Sequence, residues 1–256
     1  MEKKMKKGLA LSESNYGSVK ENKYDLVILP WGATEPHNLH LPYTTDGILS
    51  EDIAVDTAIK VWNDYQIRCM VLPPVLYGSQ NPGQHDLPFC IHARYETQKS
   101  ILKDTVASLY HQGFRKLLII NGHGGNIFKN MIRDLYLDYP DFLIASTEWY
   151  TICSSKEYFE ATIDDHAAET ETSVMMYYHP ERALLSEAGI GESYPFKMET
   201  LNHKIAWVPR HWDKSSRDSG IGNPMNATAE KGKRFADAVV DGLSQLYVDM
   251  AKETLY

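Results

Sequence analysis

Cysteine is scarce in this chain: Cys69, Cys90 and Cys153 are the only three in 256 residues. An odd number at wide spacing excludes a disulfide framework and a Cys-rich zinc knuckle. It points instead to a reducing compartment, and the cytoplasm is the expected location. Positive charge is also in deficit, because 26 Lys and Arg stand against 34 Asp and Glu, a formal −8. That balance argues against a phosphate-backbone footprint and hence against a nucleic-acid partner. No apolar run reaches membrane-spanning length, and the basic tip MEKKMKK is not followed by the apolar stretch of a signal peptide. No membrane partner is expected. Internal repeats, low-complexity tracts, a P-loop and a GxGxxG turn after a strand are missing too. What remains is an ordinary globular composition, 43% hydrophobic and 23% charged. At this length one core can bury roughly three quarters of the extended-chain surface, so a single domain over residues 1–256 is expected.

Short apolar runs at 25–29, 67–73, 116–120 and 142–147 predict strands. Apolar residues at helical spacing predict helices over 47–64, 94–112, 127–137, 168–178 and 228–247. The strands are continuously apolar rather than alternating, which signals a mostly parallel sheet buried on both faces. The expected fold class is therefore α/β, a three-layer α/β/α arrangement around that sheet. The stretch 77–92 is rich in Gly, Pro, Asn and Gln and reads as a long loop over the scaffold.

Polar groups gather just beyond the predicted strands. Glu35, His37, His40 and Asp46 follow the first, His85 and Asp86 the second, His123 the third, and His166, Glu169 and Glu171 lie beyond the fourth. Ligands of open parallel sheets bind outside the carboxyl ends of the strands, so these distant residues have a reason to converge. Such groups resist losing water unless they are paired or bound to a metal. In Asn121-Gly-His-Gly-Gly-Asn126, glycines around His123 allow close backbone approach, and the following helix offers N–H groups to a developing oxyanion. His37 and His123 with Glu35, Asp46 and Glu171 make a mixed N/O set that suits Zn²⁺, Mn²⁺ or Fe²⁺. Asp46 follows Glu35 and His37 in one loop and suits a carboxylate shared between two metals.

These residues resemble the creatininase (creatinine amidohydrolase) family, over most of the chain from about Val27 to Gly232. Gly32, Glu35, His37, His40, Leu41, Pro42, Thr45 and Asp46 match one signature, and Asn121 to Asn126 match a second in full. His166, Ala167, Glu171, Thr172 and Ser173 match a third, and GIGNPMNATAEKG at 220–232 a fourth. The resemblance implies an amidohydrolase that cleaves a non-peptide C–N bond, in a cyclic amide or a formamide, with a metal-activated water. It implies a small-molecule amide substrate, two divalent metal ions per chain, Zn²⁺ and/or Mn²⁺ with Fe²⁺ as a third option, and a homo-oligomer, a hexamer in known members. Carried over, Glu35, Asp46 and His123 hold one metal, and His37 with Asp46 holds the other. Creatininase itself adds a glutamate at the position occupied here by Gly125. The missing carboxylate is then Glu171, with Glu169 as the fallback. The resemblance makes His166 the proton carrier to the leaving nitrogen, so His166 and Glu171 are the expected catalytic pair. Pro36, Asn38 and Ala168 depart from the signatures, and residues 78–85 follow the family's loop only in part; these changes bear on the substrate. A non-catalytic metal- or metabolite-binding protein that retains the fold is the alternative.

Two further features stand beside the signatures. Trp149, Tyr150, Trp207 and Trp212 suit the wall of a pocket or the packing of a core. Arg210, His211, Lys214 and Arg217 form a basic cluster in an acidic chain, either a solvated loop or a seat for an anionic substrate group.

Overall fold

The computed structural model describes residues 7–256. Residues 1–6, which hold most of the basic tip and the start of the expected domain, lie outside the described residues. Four strands form one parallel sheet in the order β2-β1-β3-β4: β1 Leu26–Trp31, β2 Cys69–Val71, β3 Lys116–Asn121 and β4 Leu143–Glu148. Five longer helices accompany them: α1 Thr45–Tyr65, α2 Tyr95–His111, α3 Lys129–Asp138, α4 Glu169–Tyr178 and α5 Ala229–Lys252.

The alternation of side chains along the strands divides the core in two. Leu26, Ile28, Cys69, Val71, Leu118 and Ile120 pack against α1, α4 and α5. Val27, Leu29, Trp31, Leu117 and Ile119 pack against α2 and α3 on the opposite face. Both faces of the central strands are thus dry, which is why β1 reads as an unbroken apolar run. The result is the single three-layer α/β/α domain that the pattern predicts.

Among the element ends that differ from the sequence reading, those of β1 and β2 have a clear physical cause. β1 runs through Pro30 to Trp31 instead of stopping at Leu29. Ile28 and Pro30 turn their carbonyls toward the β2 side, where Leu72 and Val75 donate to them. β2 has already ended at Val71, so the N–H that Pro30 lacks would have had no strand to meet. β2 itself is three residues long, because the Pro73-Pro74 pair and its short ladder with β1 truncate it.

The site is placed by the strand order. β1 leads outward to β2 and β3 leads outward to β4, so neighbouring strands β1 and β3 feed connections that diverge. In sheets of this topology such a switch point is where a crevice lies outside the carboxyl ends of the strands. Gly32 and Gly122, one after each strand, floor that crevice. A Cβ at Gly32 would lie 2.3 Å from Gly47 N, and one at Gly122 2.5 Å from Asp46 O. Only glycine lets the first turn of α1, and Asp46 with it, come down onto both strand ends. Among the described residues no helix is long and apolar enough to cross a membrane.

Candidate metal centre

Six of the residues singled out by the sequence meet in this crevice. Glu35 and His37 arrive on the loop after β1, Asp46 in the first turn of α1, His123 after β3, and His166 and Glu171 at the entrance to α4. Three overlapping groups can each hold a metal ion, with ligand atoms within 4.8 Å of one another: Glu35, Asp46 and His123; His37, Asp46 and Glu171; and Glu35, His37 and His166. Asp46 belongs to two of them.

The three imidazoles share one design. His123 Nε2 lies 2.7 Å from Ser79 O, His37 Nδ1 3.0 Å from Glu35 O, and His166 Nε2 2.9 Å from Pro36 O. A backbone carbonyl only accepts, so each of these nitrogens carries the ring proton and donates it. In the neutral ring the other nitrogen is then a bare lone pair. His123 Nδ1 faces Glu35 Oε1 at 2.8 Å and Asp46 Oδ2 at 3.2 Å. His37 Nε2 faces Asp46 Oδ1 at 2.9 Å, and His166 Nδ1 stands 3.9 Å from Glu35 Oε1. At His37 and His123 the inward nitrogen therefore needs a proton or a cation between it and the carboxylate oxygen it faces. Glu35 Oε1 and Asp46 Oδ2 are buried and find no hydrogen-bond partner. A divalent cation can take the place of protons on these nitrogens and satisfy all of these atoms together, so the residues fit a divalent metal.

The titration behaviour of the side chains alone says the same. Burial pushes His37 down, but the Asp46 carboxylate and its contact more than reverse this and carry it up to about 10. His123 is likewise buried, and Glu35 and Asp46 raise it well above its ordinary value. Asp46 is held below the usual carboxylate range, chiefly by His37, although burial works the other way. Burial lifts Glu171 to about 8. Burial lowers His166, which therefore stays neutral near pH 7. Protons thus supply, on the imidazoles and on Glu171, the positive charge that three crowded carboxylates require.

The remaining expectations sort themselves by contact. Glu171 Oε2 accepts from Ala167 N at 2.5 Å across a turn in which Ala167 takes φ +50. A carboxylate oxygen of Glu171 lies within 4.8 Å of ligand atoms of His37 and Asp46. Glu169, the fallback, is fully buried but engaged elsewhere, by Lys231 Nζ at 2.7 Å and by the N–H groups of Glu160 and Ala161. Gly125 leaves no room for any side chain, since a Cβ there would lie 2.1 Å from Ser79 O. His85 and Asp86 pair with each other at the surface and stay out of the cluster. His40 is buried but bonds Thr172 Oγ1 at 2.8 Å, tying the loop after β1 to α4.

The aromatic residues divide as well. Trp149 is core, Trp207 is exposed, and Trp212 packs edge-on against His166 with centroids 5.2 Å apart. In the basic segment, Arg210 is held in a two-pronged pair by Asp165 at 3.0 and 2.9 Å, and Arg217 faces Glu192 at 3.8 Å. Pro36 and residues 78–85 stand out in the sequence as departures from the family signatures, but nothing in it signals that the Ser79 and Pro36 carbonyls orient imidazoles or that the Gln84 side-chain amide bonds Glu35 Oε2. Backbone carbonyls carry no residue-type signal, and the type of a loop Gln does not say which oxygen its amide meets.

Fold and cluster together define a class: an α/β protein with a buried histidine–carboxylate centre at its sheet crevice, in the manner of metal-dependent hydrolases. The model of the creatininase family, described as creatinine amidohydrolase, matches residues 12–247, and the chain belongs to that family. A solved Bacteroides fragilis NCTC 9343 protein, which carries the creatinine amidohydrolase name provisionally, is 62% identical. It covers 97% of this chain and 98% of its own, with a TM-score of 0.97. A solved creatininase shares the fold at a TM-score of 0.78 and 18% identity, over 96% of this chain and 99% of its own. Among characterised relatives, the mycofactocin precursor peptide peptidase of Mycobacterium ulcerans (strain Agy99) is 28% identical, over 86% of this chain and 84% of the relative. The 3-dehydro-scyllo-inosose hydrolase of Thermotoga maritima is 26% identical, over 88% and 78%.

Proposed function

We propose that the chain is a metal-dependent amidohydrolase that cleaves the C–N bond of a small amide, a cyclic amide or a formamide, with two divalent cations. The observation that carries this reading is the set of buried imidazoles that each give one ring nitrogen to a backbone carbonyl and turn the other toward a carboxylate oxygen. In it, Glu35, Asp46 and His123 hold one cation, and His37, Asp46 and Glu171 hold the other. Asp46 offers Oδ2 to the first group and Oδ1 to the second, which is the support for a shared carboxylate. Zn²⁺, Mn²⁺ and Fe²⁺ all suit such a set, and solved creatininases include a manganese form and a Zn-Zn type. Bound divalent cations supply Lewis acidity, acidifying water and polarising a carbonyl.

The chain's own residues do the rest. The carbonyls of Ser79, Glu35 and Pro36 fix the three ring tautomers. Trp212 packs T-shaped against His166 and helps to hold that ring in place. Neutral His166 holds a lone pair at Nδ1, inside the crevice, and Nδ1 is the atom that takes a proton and passes it to the leaving nitrogen. The bond attacked is left to the wider family: relatives at comparable identity act on a precursor peptide, an inosose and creatinine. Gly125 sets this chain apart from creatininase proper. A homo-oligomer, six copies by the family resemblance, and a cytoplasmic location complete the reading.

The test is turnover of a panel of cyclic amides, formamides and short peptides by metal-free protein and by protein reloaded with Zn²⁺, Mn²⁺ or Fe²⁺. Turnover that appears only on reloading supports the reading. Firm metal binding without turnover of any panel member favours the non-catalytic alternative.

A further inference from the structure

The loop before α2 sends one side chain into the centre that is neither a ligand nor a match to a signature. Gln84 and Glu35 are each 1% exposed, and the Gln84 side-chain amide donates to Glu35 Oε2. The orientation of that amide is settled by its other end. Gln84 Oε1 accepts from Asn81 N at 3.2 Å, and Gln84 N donates back to Asn81 O at 3.1 Å. With its oxygen committed to a backbone donor, the amide can present only N–H to Glu35. The turn is anchored on its far side, where Trp212 N donates to Pro82 O at 2.8 Å.

The consequence falls on the other oxygen of Glu35. Oε2 is occupied by Gln84, while Oε1 is the unpartnered atom that faces His123 Nδ1 and His166 Nδ1. Without that bond the carboxylate is free to turn about its last torsion, which is broad for this side chain. We propose that Gln84 is a positioning residue that fixes which oxygen of Glu35 binds the cation shared with Asp46 and His123, and so sets the affinity of that position alone. This rests on the metal-centre reading above. Partners of this kind behind a ligand typically carry tenfold to a hundredfold in metal affinity.

The test is a titration of Co²⁺ into metal-free wild type, Gln84→Met and Gln84→Asn, followed by visible absorption. Met keeps the size without the donor, and Asn keeps the amide but falls short of Glu35. Thermal unfolding of each metal-free protein is measured alongside. The expected result is two binding steps in wild type. In both variants one step weakens about tenfold to a hundredfold with a changed Co²⁺ band, the other step is unmoved, and the metal-free unfolding temperature is nearly the same. Equal affinities in wild type and variants overturn the proposal and leave the metal centre standing. Equal weakening of both steps, or loss of the fold in both variants, makes Gln84 structural and also overturns it. Wild type that takes up no Co²⁺ removes the metal-centre reading and this proposal together.

Discussion

His37, His123 and His166 each give one ring proton to a carbonyl and turn the other nitrogen inward. This arrangement separates ligand from proton carrier by experiment. Replacing His166 with Ala should lower kcat by about 10²–10⁴ while metal content stays at the wild-type count, and elemental analysis beside steady-state kinetics checks both. Glu171 and Glu169 divide the same way. Glu171→Gln should leave about one metal per chain, because His37 and Asp46 alone make a poor site. Glu169→Gln should keep the metal count but weaken a charged hydrogen bond to Lys231 by about 1.5–3 kcal/mol, read by denaturant unfolding. The pH dependence follows from the raised values. His37 at about 10 and Glu171 at about 8 hold their protons more tightly folded than unfolded, in the metal-free protein. Their stabilisation is complete below the unfolded values, near 4.5 for Glu171 and 6.5 for His37, and is lost as pH rises through about 8 and about 10. The metal-free protein should therefore melt at progressively lower temperature from pH 6.5 to 10, and metal uptake near neutral pH should release protons measurable by calorimetry in different buffers.

At the scale of elements, the strands and helices were legible because both faces of the sheet are dry. Short continuous apolar runs such as Leu117–Ile120 are what a strand dry on both faces requires, and the long α5 announces itself by its amphipathic period. Strand ends were less legible, because Pro30 is forbidden only where a neighbouring strand would need its N–H, and the length of β2 decides that. The ligand-type residues could be read from spacing, and they do converge. Their orienting partners could not, since Ser79, Glu35 and Pro36 act through carbonyls that any residue has. His85 was the opposite case, a histidine in the right loop whose side chain stays at the surface. The elements also set a steric demand. Gly122→Ala would drive a methyl into Ser50 Oγ and Asp46 O, lifting the first turn of α1 off β3. The expected outcome is a loss of about 1–3 kcal/mol of stability together with weaker metal binding, where a purely local packing defect would leave metal affinity unchanged.

At the scale of the whole molecule, the centre draws together the loops after β1 and β3, the start of α1 and the entrance to α4. A cation bound there links segments far apart in the chain, and the folded state alone offers the site. At a free concentration a hundred times its Kd, such a ligand adds about 2.7 kcal/mol, or a melting shift of roughly 5–10 °C for a domain of this size. Chelation should lower the melting temperature by that amount and reloading should restore it. The most direct measurement of the central claim is an anomalous difference map at the manganese edge from crystals grown with Mn²⁺. The account predicts two peaks that share Asp46, one against Glu35 and His123 and one against His37 and Glu171. No peak in the cluster, or peaks whose ligands leave out Asp46, would contradict it.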